Sequence, residues 1–131
     1  MSAPVLLREG SFLTGRRVLV VEDEYFLADD IARAFRTLGA EIEGPVGEVE
    51  DALALLNGLR TVDGAVLDVN LRSASILPVA RTLRSRGIPF VFATGYDRSA
   101  IDPEFEDVPL WEKPLDIPAM TRGLSGLILQ H

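Results

Sequence analysis

Asp68 closes the apolar run Ala65-Val66-Leu67. A carboxylate at the end of a buried strand must find a partner or reach water. Three other apolar runs end in a similar way. Val18-Leu19-Val20-Val21 leads into Glu22-Asp23, Phe90-Val91-Phe92-Ala93 into Thr94, and Leu110-Trp111 into Glu112-Lys113. Parallel strands would bring all four ends to one edge. Glu22, Asp23 and Asp68 would then crowd negative charge into one pocket, which is unfavourable unless a proton or a cation intervenes. Oxygen-only ligands suit Mg²⁺, which keeps several waters and uses one or two carboxylates plus phosphate oxygens. Thr94 and the backbone N–H groups beyond it could donate to phosphoryl oxygens, and Lys113 could pair with another. In-line phosphoryl transfer needs such a set: a positioned nucleophile, a metal and fixed positive groups. A carboxylate is a competent nucleophile and gives an aspartyl phosphate. Taken singly, each residue has an ordinary role. Asp23 could cap a helix, Asp68 could head a turn, Thr94 could cap the next segment, Lys113 could be a surface lysine, and Asn70 is a turn former. Their joint occurrence at four strand ends is what argues for chemistry.

The elements that must position these residues follow from periodicity. Arg17 to Glu22 reads as a strand buried on both faces. Asp23 or Glu24 is then expected to cap a helix whose apolar stripe is Leu27, Ile31, Ala34, Phe35 and Leu38, with Gly39 as its stop. Ala40 to Val46 is a more polar strand, expected at a sheet edge because of Pro45. Val49, Ala52, Leu53, Leu56 and, at the limit, Leu59 outline a second helix. Asp63-Gly64 turns the chain into the strand of Asp68. Ile76, Leu77, Ala80 and Leu83 mark a third helix, with Pro78 in its first turn and Gly87 as its end. Phe90 to Thr94 is a strand.

Between Gly95 and Pro109 the helical signal nearly fails, and residues 97 to 108 are expected to be the most mobile ordered segment. Leu110-Trp111 is a short strand, and Asp116 caps a last helix built on Ile117, Met120, Leu124, Leu127 and Ile128. Five strands alternating with helices predict an α/β fold, a parallel sheet covered on both faces. Ligands of such sheets sit outside the carboxyl ends of the strands, where the polar residues lie.

Composition narrows the function classes. The chain has 131 residues, enough for one domain, and no cysteine, which removes disulfides, thiolate metal sites and thiol nucleophiles. A formal charge of −7 argues against direct nucleic acid binding. No apolar run approaches about 18 residues, so no membrane span is predicted, and residues 1–15 do not read as a signal peptide. These features lead to the expectation of a cytoplasmic protein in two parts, an N-terminal extension over 1–15 that packs loosely and a domain over 16–131.

In order and strand context, Glu22-Asp23, Asp68, Thr94 and Lys113-Pro114 resemble the receiver domain of two-component response regulators over roughly residues 16 to 130. The resemblance implies a flavodoxin-like, doubly wound five-stranded sheet of order 2-1-3-4-5. It implies that Asp68 accepts a phosphoryl group from a histidine kinase or phosphotransfer protein. Mg²⁺ would be held by Asp23, Asp68 and the Asn70 carbonyl, with Glu22 acting through water. Thr94 and Lys113 would contact the phosphoryl group, and the Lys113–Pro114 bond would be cis. Such a protein is not an enzyme in the usual sense; it catalyses only its own phosphorylation and dephosphorylation. It would act as a relay, a phosphate sink or a protein-contact switch, as a monomer or weak dimer.

Three departures from the common receiver pattern stand out. Ser75-Ile76 replaces a frequent Asp-Gly pair. Leu110 stands where an aromatic switch residue is usual, leaving Tyr96 and Trp111 as switch candidates. Thr94 and Lys113 are only 19 positions apart, which implies a degenerate fourth helix. The stretch from Pro89 to Tyr96 resembles a subgroup with a Phe-Ala-Thr-Gly motif, associated with stand-alone receivers and HWE-type kinases. Two other readings compete. One is a receiver-fold interaction module independent of phosphorylation. The other is a different α/β enzyme, an aspartate phosphatase or flavin protein. Asn70 stands where the phosphatases carry a second acid, and no glycine-rich phosphate loop follows any strand.

Overall fold

A computed structural model describes residues 12–72, 74–95 and 101–130. The chain runs β1 (Arg17–Val21), α1 (Tyr25–Thr37), β2 (Glu41–Val46), α2 (Val49–Leu56), β3 (Gly64–Asp68), α3 (Leu77–Ser85), β4 (Phe90–Thr94), a 3-10 turn (Pro103–Phe105), β5 (Leu110–Glu112) and α4 (Ile117–Leu129). All pairings are parallel and the order is β2-β1-β3-β4-β5. The expected doubly wound fold is therefore observed, with β2 at an edge. The Lys113–Pro114 peptide is cis, as the resemblance implied, and so is Gly44–Pro45.

Strand alternation divides the core in two. Leu19, Val21, Ala65, Leu67, Phe90 and Phe92 face the layer of α2 and α3. Val18, Val20, Val66 and Val91 face α1 and α4, among Ile31, Phe35, Met120, Leu124 and Ile128. Period-2 strands buried on both faces and period-3.6 helices buried on one account for this arrangement. The central strand β3 is buried along its whole length, Asp68 included. Asp68 lies in register beside Ala93, and Thr94 beside Glu112. Ladder bonds continue past the strand ends, from Glu22 N–H to the Val46 carbonyl, from Val69 N–H to Ala93 and from Lys113 N–H to Thr94. The polar residues are thus fixed by backbone pairing and do not sit on free loops.

Two expectations need correction. Leu13, assigned to a loosely packing extension, is fully buried in the α1–α4 core, and its N–H donates to the Leu38 carbonyl. Leu59 does not extend α2. That helix stops at Leu56, where the N–H of Asn57 and that of Gly58 fold back onto the last turn, and Leu59 is fully exposed.

In the segment before β5, residues 96–100 lie outside the described part. Residues 101–108 form only one 3-10 turn, in keeping with a degenerate fourth helix, but they do not lack anchors. Ile101, Phe105 and Val108 are buried, and Phe105 makes edge contacts with Phe90 and Phe92. Arg81 of α3 grips Glu104 with two nitrogens. Arg84 grips Asp107, donates to the Glu104 carbonyl and lies over the Phe105 ring, 4.9 Å from its centroid. Prolines 103 and 109 hid this anchoring because they break helical periodicity without preventing burial.

Phe105→Ala should therefore cost about 3–5 kcal/mol of stability. Arg81→Ala removes an exposed pair and should cost less than about 1 kcal/mol. Urea unfolding measures both. Equal, small losses would show that segment 101–108 does not depend on its aromatic anchor.

Candidate functional site

At the carboxyl edge of the sheet the fold brings Glu22, Asp23 and Asp68 together, with one carboxylate oxygen from each lying within 4.8 Å of the others. Glu22 and Asp68 are buried, and Asp23 is half-buried. Backbone amides hold each carboxylate. Glu24 N–H donates to Glu22 Oε2 at 3.0 Å, Asn70 N–H to Asp68 Oδ1 at 2.8 Å, and Arg72 N–H to Asp23 Oδ2 at 3.3 Å. Neither Asp23 nor Glu24 caps α1 with its side chain, contrary to expectation. Their carboxylates are drawn instead to Arg72 N–H and to Lys113.

Lys113 is the cation of this cluster. Its Nζ lies 2.7 Å from Glu24 Oε2, 3.2 Å from Glu22 Oε1 and 3.5 Å from Asp68 Oδ2. Partial burial pulls the lysine pKa down, but the Glu24 bond and the charges of Asp68 and Glu22 outweigh it, and the net shift is upward. Burial pushes the Glu22 carboxyl up from 4.5 to about 7, with the Asp68 charge adding to the rise and the Glu24 amide and Lys113 opposing it. From sequence Glu24 was marked only as a candidate helix cap, and its pairing with Lys113 was not foreseen.

On the other side of Asp68, the Asn70 side chain bridges two loops. Its Oδ1 accepts from Gly95 N–H at 2.6 Å and from Thr94 Oγ1 at 3.3 Å. Thr94 is fully buried. A cleft of about 560 Å³ opens beside Glu22 and Asp23, with Tyr25, Asp29, Gly47 and Arg72 among its walls. Gly47 approaches Asp23 so closely that a Cβ would sit 3.1 Å from the aspartate Cβ. Sequence inspection did not mark that glycine.

The switch candidates stand apart from this cluster. Tyr96 lies outside the described residues. Trp111 packs with the α1–α4 core, near Gly123 of α4, while Leu110 packs on the opposite face with Phe105 and Val108.

The donor set fits Mg²⁺. All the acidic ligand atoms are oxygens, and Glu22 Oε1 and Asp68 Oδ2 are buried with no hydrogen-bond partner among the described residues. Lys113 Nζ lies 3.2 Å from the first and 3.5 Å from the second. A cation at this point would satisfy both oxygens and relieve the repulsion that one lysine leaves.

The raised Glu22 pKa has a pH consequence. Without divalent cations, Glu22 favours the folded state most below pH 4.5, and that contribution is lost as pH rises through about 7. Glu22→Gln should therefore stabilise the cation-free protein above pH 7 by on the order of 1 kcal/mol and change little near pH 4.5. Thermal unfolding across this range measures the difference. A variant less stable than the wild type above pH 7 would contradict the assignment.

Known proteins share this architecture. The solution structure of SdrG from Sphingomonas melonis Fr1 matches with a TM-score of 0.73 and 37% identity, over 91% of this chain and 98% of that one. The BeF3-activated conformation of SdrG, described from Pseudomonas melonis Fr1, matches with a TM-score of 0.70 over 86% and 95% of the two chains. A response regulator receiver protein from Sinorhizobium medicae WSM419 shares the fold at a TM-score of 0.75 and 23% identity, over 87% of this chain and 94% of that one. Among curated proteins, the transcriptional regulatory protein PdtaR of Mycobacterium tuberculosis is 32% identical over 84 residues, 63% of this chain. The chain spans 40% of the length of PdtaR. No protein-family model matches. Fold, strand-end acids and the near full-length likeness to SdrG agree, and the chain belongs to the response regulator receiver domains.

Proposed function

We propose that Asp68 is the phosphoacceptor and takes a phosphoryl group from a histidine kinase, of the HWE type or a relative, or from a phosphotransfer protein. The observation that carries this reading is Asp68 Oδ2. It is buried, has no hydrogen-bond partner among the described residues, and lies 3.5 Å from Lys113 Nζ. Asp68 Oδ1 is meanwhile held by Asn70 N–H. One carboxylate oxygen is thus fixed and the other is left for bond formation. The likeness to SdrG, for which a BeF3-activated conformation is described, supports the same reading.

In the proposed reaction, an Asp68 oxygen attacks phosphorus while the bond from phosphorus to the donor imidazole nitrogen breaks. The electron pair of that bond stays on the imidazole. Lys113 moves its charge from Glu24 toward the transferred group, and Thr94 Oγ1–H and Gly95 N–H donate to its oxygens. Asp23, Asp68 and the Asn70 carbonyl would hold Mg²⁺, with Glu22 acting through water. Bound there, Mg²⁺ supplies the positive charge that lets an anionic phosphoryl group approach an anionic nucleophile. Downstream, the receiver domain would act as a relay, a phosphate sink or a protein-contact switch in the cytoplasm.

Incubation with Mg²⁺ and acetyl phosphate, followed by intact-mass measurement, tests the assignment. One phosphoryl adduct of about 80 Da is expected on the wild type and none on Asp68→Asn. An adduct that survives in the variant would place the chemistry elsewhere.

A further inference from the structure

Asn70 occupies a place in the site that its role as a backbone ligand does not explain. Its side chain reaches from the β3 loop to the end of β4, where Oδ1 lies 2.6 Å from Gly95 N and 3.3 Å from Thr94 Oγ1. The backbone N–H of Gly95 can only donate, so the atom facing it is the amide oxygen. Two donors at the end of β4 therefore converge on one oxygen. That oxygen belongs to the residue whose own N–H fixes Asp68.

We propose that the Asn70 side chain is an internal stand-in for the phosphoryl group, holding the Thr94 and Gly95 donors in the unphosphorylated protein and giving them up when Asp68 is phosphorylated. This rests on the phosphoacceptor reading above. A phosphoryl oxygen and Asn70 Oδ1 cannot both occupy the hydrogen-bond position of the Gly95 N–H. Phosphorylation therefore has to displace the amide, which breaks the side-chain link between the β3 loop and the β4 end. Gly95 leads into the connection that ends in the buried residues Ile101 and Phe105. Asn70 is thus a positioning residue with two effects: it keeps the donors aligned, and it competes with the group they are aligned for. A purely structural tie between the loops gives the opposite sign on removal, because losing it would disorder the donors and weaken phosphoryl binding.

The test titrates Mg²⁺ and BeF₃⁻ into the full chain, for the wild type, Asn70→Ala and Asn70→Asp, followed by backbone and side-chain amide resonances. In the wild type, BeF₃⁻ is expected to shift the Asn70 side-chain amide pair together with the Gly95 N–H. In Asn70→Ala, the Gly95 N–H should move upfield before any addition, and BeF₃⁻ should bind about three- to tenfold more tightly, the value of one net hydrogen bond. Asn70→Asp retains an acceptor oxygen and should keep the Gly95 shift near that of the wild type. Unchanged or weaker BeF₃⁻ binding by folded Asn70→Ala would overturn the proposal. If that variant does not fold, an Asn70 side-chain pair that stays unmoved when BeF₃⁻ binds the wild type overturns it equally. A wild type that binds no BeF₃⁻ with Mg²⁺ would instead remove the phosphoacceptor reading, and the wild-type titration alone reveals that.

Discussion

The fold is organised around negative charge that it cannot neutralise alone. Glu22, Asp23 and Asp68 converge at the carboxyl edge of the sheet, and Glu24 is close by. Lys113 stands against them, closer to Glu24 than to Asp68. Repulsion of this kind is unfavourable in a half-buried pocket. It persists because parallel pairing fixes the strand ends, and the core on both faces of the sheet outweighs its cost. In the proposed function, this uncompensated charge is what a cation and, through it, a phosphoryl group would answer.

Two sides of Asp68 serve different purposes. Toward β1 and β5 lie the acids and the lysine, which govern charge. Toward β4 lie Asn70, Thr94 and Gly95, which govern geometry. The second side leads into the segment that distinguishes this chain. Among its described residues, 101–108 form a single 3-10 turn, pinned by Phe105 and gripped by two arginines of α3. Leu110 lies on the same face as Phe105, and Trp111 on the other.

Much of this was legible in the residues. Apolar runs ending in Glu22, Asp68, Thr94 and Lys113 specified parallel strands and their common edge, because period-2 burial and a polar terminus leave few other arrangements. The edge position of β2 and the Asp116 cap followed from the same patterns, whereas the strand order followed from the receiver resemblance; the Asp116 carboxylate accepts from Ala119 N–H. What stayed hidden depended on tertiary neighbours. The burial of Leu13 depends on the α1–α4 core, and no local pattern announces it. The anchoring of residues 101–108 comes from Arg81 and Arg84, about twenty positions earlier in the chain. Gly47 matters only because Asp23 lies beneath it. The Asn70 side chain read as a turn former, and its contact with Gly95 exists only once β3 and β4 are paired.

The central claim is that the three carboxylates form one cation site next to the phosphoacceptor. Titration of Mg²⁺ into the full chain, followed by backbone amide resonances, tests it most directly. Saturable shifts confined to residues 22–24 and 68–70, and lost in Asp23→Asn, are the result this account requires. Mg²⁺ that leaves these resonances unmoved, or shifts them equally in the variant, would contradict it.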